Sequence, residues 1–195
     1  MHGTTKMIDN DKLEDSTPTD EKINGHFLTN HTHYLNGDLD EEKMNRVIRW
    51  VIYENLKDGD DAISLYINSD GGSLCETFAL IDMMRSSRKP INVVAIGSIC
   101  SAAFLIFAAG TPGRRHIGRN TTIMCHQYSE GVEGKYHDLR ARISENKRMN
   151  DRMVKLLTEC SNLSETKVRS KLLPPSDVWM SANELVEFGI ADLIF

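Results

Sequence analysis

Ser101 closes an apolar, largely β-branched run, Val94-Ala95-Ile96-Gly97-Ser98-Ile99-Cys100, and opens a stretch of small and apolar residues from Ala102 to Ala109. The pattern is that of a buried strand which ends near a glycine and continues as a buried helix. A serine at such a junction sits at the mouth of a sheet and the start of a helix. There the free N–H groups and the helix dipole favour developing negative charge. Acyl transfer is the chemistry this placement allows, given a base and an oxyanion site. Serine is also a preferred helix N-cap, and that structural role is the commoner one for a serine in this position.

A serine nucleophile needs a base that accepts its proton near neutral pH, and histidine is the usual choice. Of seven histidines, His2, His26, His31 and His33 fall in or near the polar N-terminal region, His116 in a polar loop and His137 near a helix start. His31-Thr32-His33 has alternating imidazoles without acidic or thiol companions, so no metal site is assigned. His126 differs, because it ends the strand-like run Ile123-Met124-Cys125. The carboxyl ends of strands are where open α/β folds bind ligands, although a satisfied core histidine fits the position as well. Asp177 precedes the apolar patch Val178-Trp179-Met180, which would hold it against the body of the protein. It is a candidate to fix the imidazole tautomer, and equally an Asx-turn residue after Pro174-Pro175. Oxyanion donors would be the Ala102 N–H and one N–H of the turn Gly71-Gly72, where missing side chains permit close approach; the same dipeptide can simply make a turn.

These residues need a scaffold of alternating strands and helices. Residues 1 to about 25 are polar and read as a mobile tail, with the folded domain spanning 26–195. A short strand is expected at Tyr34-Leu35, a turn at Asn36-Gly37, and an amphipathic helix from Asp40 to about Leu56. Met44, Val47, Ile48, Val51 and Ile52 recur there at helical spacing. A buried strand follows over Ala62 to Asn68, a glycine turn at 69–73, a helix over Leu74 to Arg85, a strand from Ile91 to Gly97, and the Ser101 helix. Gly110 to Arg119 reads as a connection, Thr121 to His126 as a strand, and Tyr136 to Cys160 as a long helix. Ser164 and Ser181 should cap two short helices, the second ending at Gly189. Repeated βα units predict a mainly parallel sheet flanked by helices.

At 195 residues and a net charge of −5, the chain suits one domain and offers no basic run for nucleic acid. Cysteines 75, 100, 125 and 160 lack metal-site spacing, and two lie in apolar runs. A reduced, cytoplasmic protein without a disulfide framework, cofactor or metal is expected. No segment has the length and position of a signal peptide or a membrane span; the nearest, Val93 to Gly110, is interrupted by Gly97, Ser98 and Ser101.

Four segments, taken together, resemble the family of the caseinolytic (Clp) protease proteolytic subunit, ClpP, a ring-forming serine peptidase of ClpP/crotonase-like α/β fold. Leu65 to Ser73 (LYINSDGGS) is similar to its LYINSPGG segment, and Gly97 to Ala103 stands where its GQAASMG nucleophile segment falls. Thr122 to Gln127 is similar to its RVMIHQP strand, and Asp177 to Gly189 to its DxxxSAxEAxEYG segment. The intervals from Gly-Gly to serine and from serine to histidine match without a gap, and the likeness covers roughly Tyr34 to Ile194.

The resemblance implies Ser101 as nucleophile, His126 as base, Asp177 as its orienter, and Gly72 and Ala102 as oxyanion donors. It implies polypeptide substrates, heptameric rings possibly stacked as a tetradecamer through a handle formed by Gly131 to Asp138 and the long helix, and an AAA+ Clp ATPase unfoldase as partner. Departures are specific. Asp70 replaces the family proline and sets a carboxylate beside the oxyanion turn, and Ala103 replaces a glycine. Pro175 and Ser176 replace an Asp-Arg pair that links rings. The pocket for the ATPase loop keeps Tyr66, Val94 and Ile96, but Ser64, Ser86 and Gly118 stand at its usually apolar positions, which predicts a shallower, more polar pocket. Two other classes compete with the peptidase: a catalytically silent ring subunit, and an acyl-CoA hydratase or isomerase of crotonase architecture, which gives no reason for a Ser/His/Asp set.

Overall fold

A computed structural model describes residues 18–195, so the reading of the first 17 residues lies outside the described part. The described residues form seven helices and one seven-stranded sheet. In chain order these are α1 (Thr19–Thr29), β1 (Thr32–Asn36), α2 (Glu41–Leu56), β2 (Ile63–Ser69), α3 (Leu74–Ser86), β3 (Ile91–Cys100) and α4 (Ala102–Ala108). They continue with β4 (Arg115–Ile117), β5 (Thr122–Cys125), α5 (Tyr136–Glu159), α6 (Glu165–Lys171), β6 (Val178–Met180), α7 (Ala182–Glu187) and β7 (Leu193–Ile194).

Strands β1, β2, β3, β4 and β7 pair in parallel, in that order. Burial alternates along β2 and through the first half of β3: Ile63, Leu65, Ile67, Ile91, Val93 and Ala95 face the core, while Tyr66, Val94 and Ile96 lie on the more open face. Besides the two-residue β7, which the sequence reading did not include, three features of the sheet depart from the sequence expectations. First, β3 does not end at Gly97 but runs on to Cys100. One edge of β3 serves two strands in turn: β4 lies beside Val93–Ala95, and β5 beside Ser98–Cys100. Second, the connection after α4 contains β4, whose three residues are too few for an alternation to be read. Third, Val178–Met180 is a strand, antiparallel to β5. Helix α1 also crosses the boundary drawn at residue 25; it buries none of its residues, so composition alone carried no sign of it.

Capping follows the predicted chemistry. The side chains of Asp40, Ser73, Ser164 and Ser181 each accept an N–H at the start of their helices. Ser181 and Glu184 form a reciprocal capping box, and the bond from the Ser181 N–H holds the Glu184 carboxyl below its usual range. The core centres on α4, every residue of which is buried, whereas α5 buries only Met149, Met153, Val154, Leu156 and Leu157 in its second half. All four cysteines are free, and burial pushes the Cys125 thiol up to about 12. No described helix is long and apolar enough to cross a membrane.

The β4–β7 end of the sheet is fastened by one ion pair. Arg115 is buried; its backbone N–H and Nε both donate to Asp192 Oδ2 at 2.9 Å, and Nη2 donates to Oδ1 at 2.7 Å. Burial raises the Asp192 pKa, but the Arg115 bonds outweigh it and the net shift is downward. A depressed carboxylate stabilises the fold above its unfolded pKa of about 4 and loses that contribution as pH falls through the folded value. Asp192→Asn should therefore cost about 3 kcal/mol at pH 7, because it leaves a buried guanidinium without its counter-charge. Urea unfolding should show that gap narrowing below about pH 4.

Candidate active site

Ser101 does not cap α4. Its backbone lies at φ 55° and ψ −121°, and its side chain makes no cap bond. A non-glycine residue at positive φ is held there only when its surroundings over-determine it. Here the Ser101 N–H donates to the Met124 carbonyl at 2.8 Å, and the seven buried residues that follow fix the helix. The sharp turn leaves the side chain partly exposed at the edge of a cleft.

Strand β5 delivers the imidazole. Cys100 pairs with Met124, so His126 emerges just past the end of the ladder. The Ser101 hydroxyl lies 2.8 Å from His126 Nε2. With the imidazole proton on Nδ1, the hydroxyl donates to Nε2, the arrangement needed for proton removal from serine. Nδ1 itself has no hydrogen-bond partner among the described residues. Asp177 stands one step before β6. The pairing of Cys125 with Val178 sets Asp177 opposite His126 in register, but no hydrogen bond joins the two, and Asp177 is exposed. The structure thus brings Ser101 and His126 into contact and leaves Asp177 at the margin.

Neither the Gly72 nor the Ala102 N–H donates to any described group, and both residues line a cleft of about 110 Å³ with Ser101, His126, Leu74 and Met153. The glycines are obligatory for different reasons. A Cβ on Gly71 (φ +109°) would lie 2.9 Å from both the Cys100 carbonyl oxygen and Ser101 Cβ. A Cβ on Gly72 (φ +152°) would lie 2.6 Å from the Leu39 carbonyl oxygen. Leu39 holds the turn from outside, donating to the Gly71 carbonyl and accepting from Ser73 N–H, both at 2.9 Å. Two unused donors and a serine–imidazole pair facing one cleft form a site able to attack a carbonyl and stabilise the resulting oxyanion.

Several contributors were not read from the sequence: Leu39, Leu74 and Met153 around the cleft, and Asn68 and Ser98 behind it. A signal for Asn68 was available in Gly97, since a glycine inside a strand marks a bulge or a close approach. Its φ is +65°, and a Cβ there would sit 2.4 Å from Asn68 Oδ1. His31 and His33, placed by sequence in or near the N-terminal region, are integral to the fold. His31 Nδ1 meets the buried Glu54 carboxylate at 2.6 Å, and the His33 ring packs against Trp50. Among the described residues no group of three or more His, Cys, Asp or Glu is placed to hold a metal.

Larger cavities lie elsewhere. One of about 560 Å³, bordered by Arg88, Arg115 and Gly189, contains none of the predicted residues. A groove of about 510 Å³ does include Tyr66 and Ile96, with Phe27 and Tyr34. Val94, Ser64, Ser86 and Gly118 do not line it. Ser64 Oγ instead accepts from Asn92 Nδ2 at 3.1 Å, Ser86 Oγ donates to the Met83 carbonyl of its own helix, and Gly118 faces Thr121. Phe27 and Tyr34 supply the apolar walls.

A mainly parallel sheet with a serine at a strained strand–helix turn, a histidine just past the paired strand β5 and a free pair of N–H groups is an α/β arrangement of the kind that acyl transfer requires. Comparison with known proteins gives the family. The model of the Clp protease family matches residues 16–195. The ATP-dependent Clp protease proteolytic subunit 2 of Frankia casuarinae is 33% identical over 159 residues, 82% of this chain and 72% of that protein. Proteolytic subunit 1 of Corynebacterium glutamicum is 31% identical over 163 residues, 83% and 77% of the two chains. Proteolytic subunit 1 of Prochlorococcus marinus is 30% identical over 161 residues, 83% and 82%. The chain belongs to the Clp protease family and is, by family, a serine-type peptidase.

Because Gly71 packs directly on the serine, Gly71→Ala must push the turn away from Ser101 or force strain into both. The variant should unfold about 1–3 kcal/mol more easily. It should also lose at least ~100-fold in Ser101 labelling by a fluorophosphonate, as expected when an oxyanion donor is displaced. Chemical denaturation and labelling rates on the same preparation check both effects.

Proposed function

We propose that the chain is a serine endopeptidase that hydrolyses short peptides or unfolded polypeptides inside a ring of its own copies. The observation that carries this reading is the 2.8 Å contact between Ser101 Oγ and His126 Nε2 in a cleft with two unused N–H donors. Ser101 Oγ attacks the scissile carbonyl as His126 takes its proton. The oxyanion is received by Gly72 N–H and Ala102 N–H. His126 then returns the proton to the leaving amine, and water repeats the sequence to free the acyl group. The reaction requires no cofactor.

Asp177 is proposed to hold the imidazole through Nδ1, which register opposite His126 supports. The missing bond between them favours a second reading, a ring subunit that is silent or weak. Turnover separates the two. Ser101→Ala should abolish both peptide hydrolysis and fluorophosphonate labelling with the fold intact, and labelling that persists in that variant would remove Ser101 as nucleophile. Asp177→Asn should lower kcat greatly. The equivalent change in a chymotrypsin-type triad lowers kcat about 10⁴-fold, which sets the scale, and a loss under about tenfold would point to a Ser–His dyad.

Assembly into heptameric rings, stacked in pairs, is proposed from the first half of α5, where Tyr136 and Ile143 are largely exposed (72% and 65%). Such apolar residues on a projecting helix fit burial against a second ring. The Phe27–Tyr34–Tyr66–Ile96 groove is proposed as the docking point for an apolar loop of an AAA+ Clp ATPase. A cytoplasmic setting suits the four unpaired cysteines. Native mass spectrometry at micromolar concentration should show heptamers or tetradecamers; monomers and dimers alone would count against the assembly.

A further inference from the structure

The hydrogen-bond ladder between β2 and β3 breaks beside the nucleophile. Ile67 pairs with Ala95, yet Ser69 pairs with Ile99, so β3 carries two extra residues at the point where both strands approach Ser101. Main-chain bonds cannot hold that gap, and side chains span it. Asn68 Oδ1 accepts the Ser98 N–H at 3.0 Å, and Ser98 Oγ donates to Asp70 Oδ1. Asp70 is the residue immediately before the Gly71–Gly72 turn, and Ser98 lies three residues before the nucleophile. The two oxyanion donors belong to these separate elements: Gly72 N–H to the turn after β2, Ala102 N–H to the start of α4. On its far side the turn is fastened by Leu39 and by Ser69 Oγ, which accepts the Gly71 N–H at 3.0 Å and donates to the Gly37 carbonyl. On the near side the ladder resumes at Ser69–Ile99, and beyond that pair Asp70–Ser98 is the hydrogen bond that joins the turn to β3 among the described residues.

We propose that Asp70 is a positioning residue, whose hydrogen bond from Ser98 Oγ ties the Gly71–Gly72 turn to the end of β3 and so fixes the separation of the two oxyanion donors. This rests on the serine peptidase reading above. It also accounts for the residue type. A proline at this position restricts the turn covalently through its ring, whereas an aspartate achieves the same only by being tethered. The Asp70 N–H donates to no described group, so the position carries no backbone bond that a proline would remove. As an acceptor Asp70 needs one oxygen, not a charge, and that separates tethering from an electrostatic effect of the carboxylate on the oxyanion.

The test is steady-state hydrolysis of a short fluorogenic peptide by the full chain in its native assembly, with fluorophosphonate labelling and thermal unfolding run in parallel. Ser98→Ala and Asp70→Ala should each lower kcat roughly 10- to 100-fold, the scale of an ångström-level misplacement at a reacting centre, with KM within about threefold. The double variant should be no slower than the worse single variant, because both remove the Asp70–Ser98 bond, and only Ser98→Ala also removes the 3.3 Å contact of Ser98 Oγ with Cys100 Sγ. Asp70→Asn, which keeps the acceptor oxygen, and Asp70→Pro, which restores covalent stiffness, should stay within about threefold of the wild type. If Asp70→Ala fails to fold, Ser98→Ala carries the test alone, since it removes a single oxygen. Wild-type kcat in both alanine variants overturns the tether. So does an Asp70→Asn variant that matches Asp70→Ala, slower or faster, because charge would then be the operative property. A wild-type chain that neither hydrolyses peptide nor takes the label overturns the peptidase reading itself, and the tether with it.

Discussion

The turn at Gly71–Gly72 lies against the backbone of Cys100, Ser101 and Ala102 with no space for a side chain between them. Nearly everything else in the structure serves that contact. It requires β2 and β3 to end at the same level, although one carries two residues more than the other in the last stretch of the ladder. The surplus is taken up at Gly97, where a positive φ lets the Asn68 side chain fill the place of a Cβ. The outcome is a pair of N–H groups from separate elements that face one cleft and bind nothing within the described chain.

Strain at Ser101 belongs to the same arrangement. A serine at φ 55° is costly in isolation, by about 1–3 kcal/mol. The cost is offset by the wholly buried helix that follows and by the bond from the Ser101 N–H to β5. Strand β5 is also the element that delivers His126. The packing that forces the serine into an unfavourable conformation therefore also brings the imidazole against it, and the pair is preorganised.

The third member is organised differently. Asp177, proposed for that role, stands one residue before β6, a three-residue strand held to the sheet through β5 alone among the described residues. Pro174-Pro175 precedes it, and the neighbouring Trp179 is largely exposed. An element so lightly fastened within one chain is open to adjustment by contacts from outside it. The same holds for the first half of α5, which leaves Ile143 in solvent while the second half is anchored in the core.

The sequence determined the elements whose signals are local. A β-branched run before Ser101, glycines at 71, 72 and 189, and hydroxyl or carboxylate caps at 40, 73, 164 and 181 need only neighbours to act, and the pattern of βα units follows from them. The identity of the serine, the histidine and the glycine turn was legible for the same reason, because each residue type is dictated by its own backbone or chemistry. Short strands escaped: three residues in β4, three in β6 and two in β7 are too few to show a period. That Ser101 meets an imidazole and does not cap its helix was decided only by tertiary structure, since 25 residues separate the partners and the pairing of β3 with β5 sets their approach. Asn68, Asp70 and Ser98 share that dependence. Their bonds exist because two strands of unequal length are brought to one level, a condition that no local stretch of the chain contains.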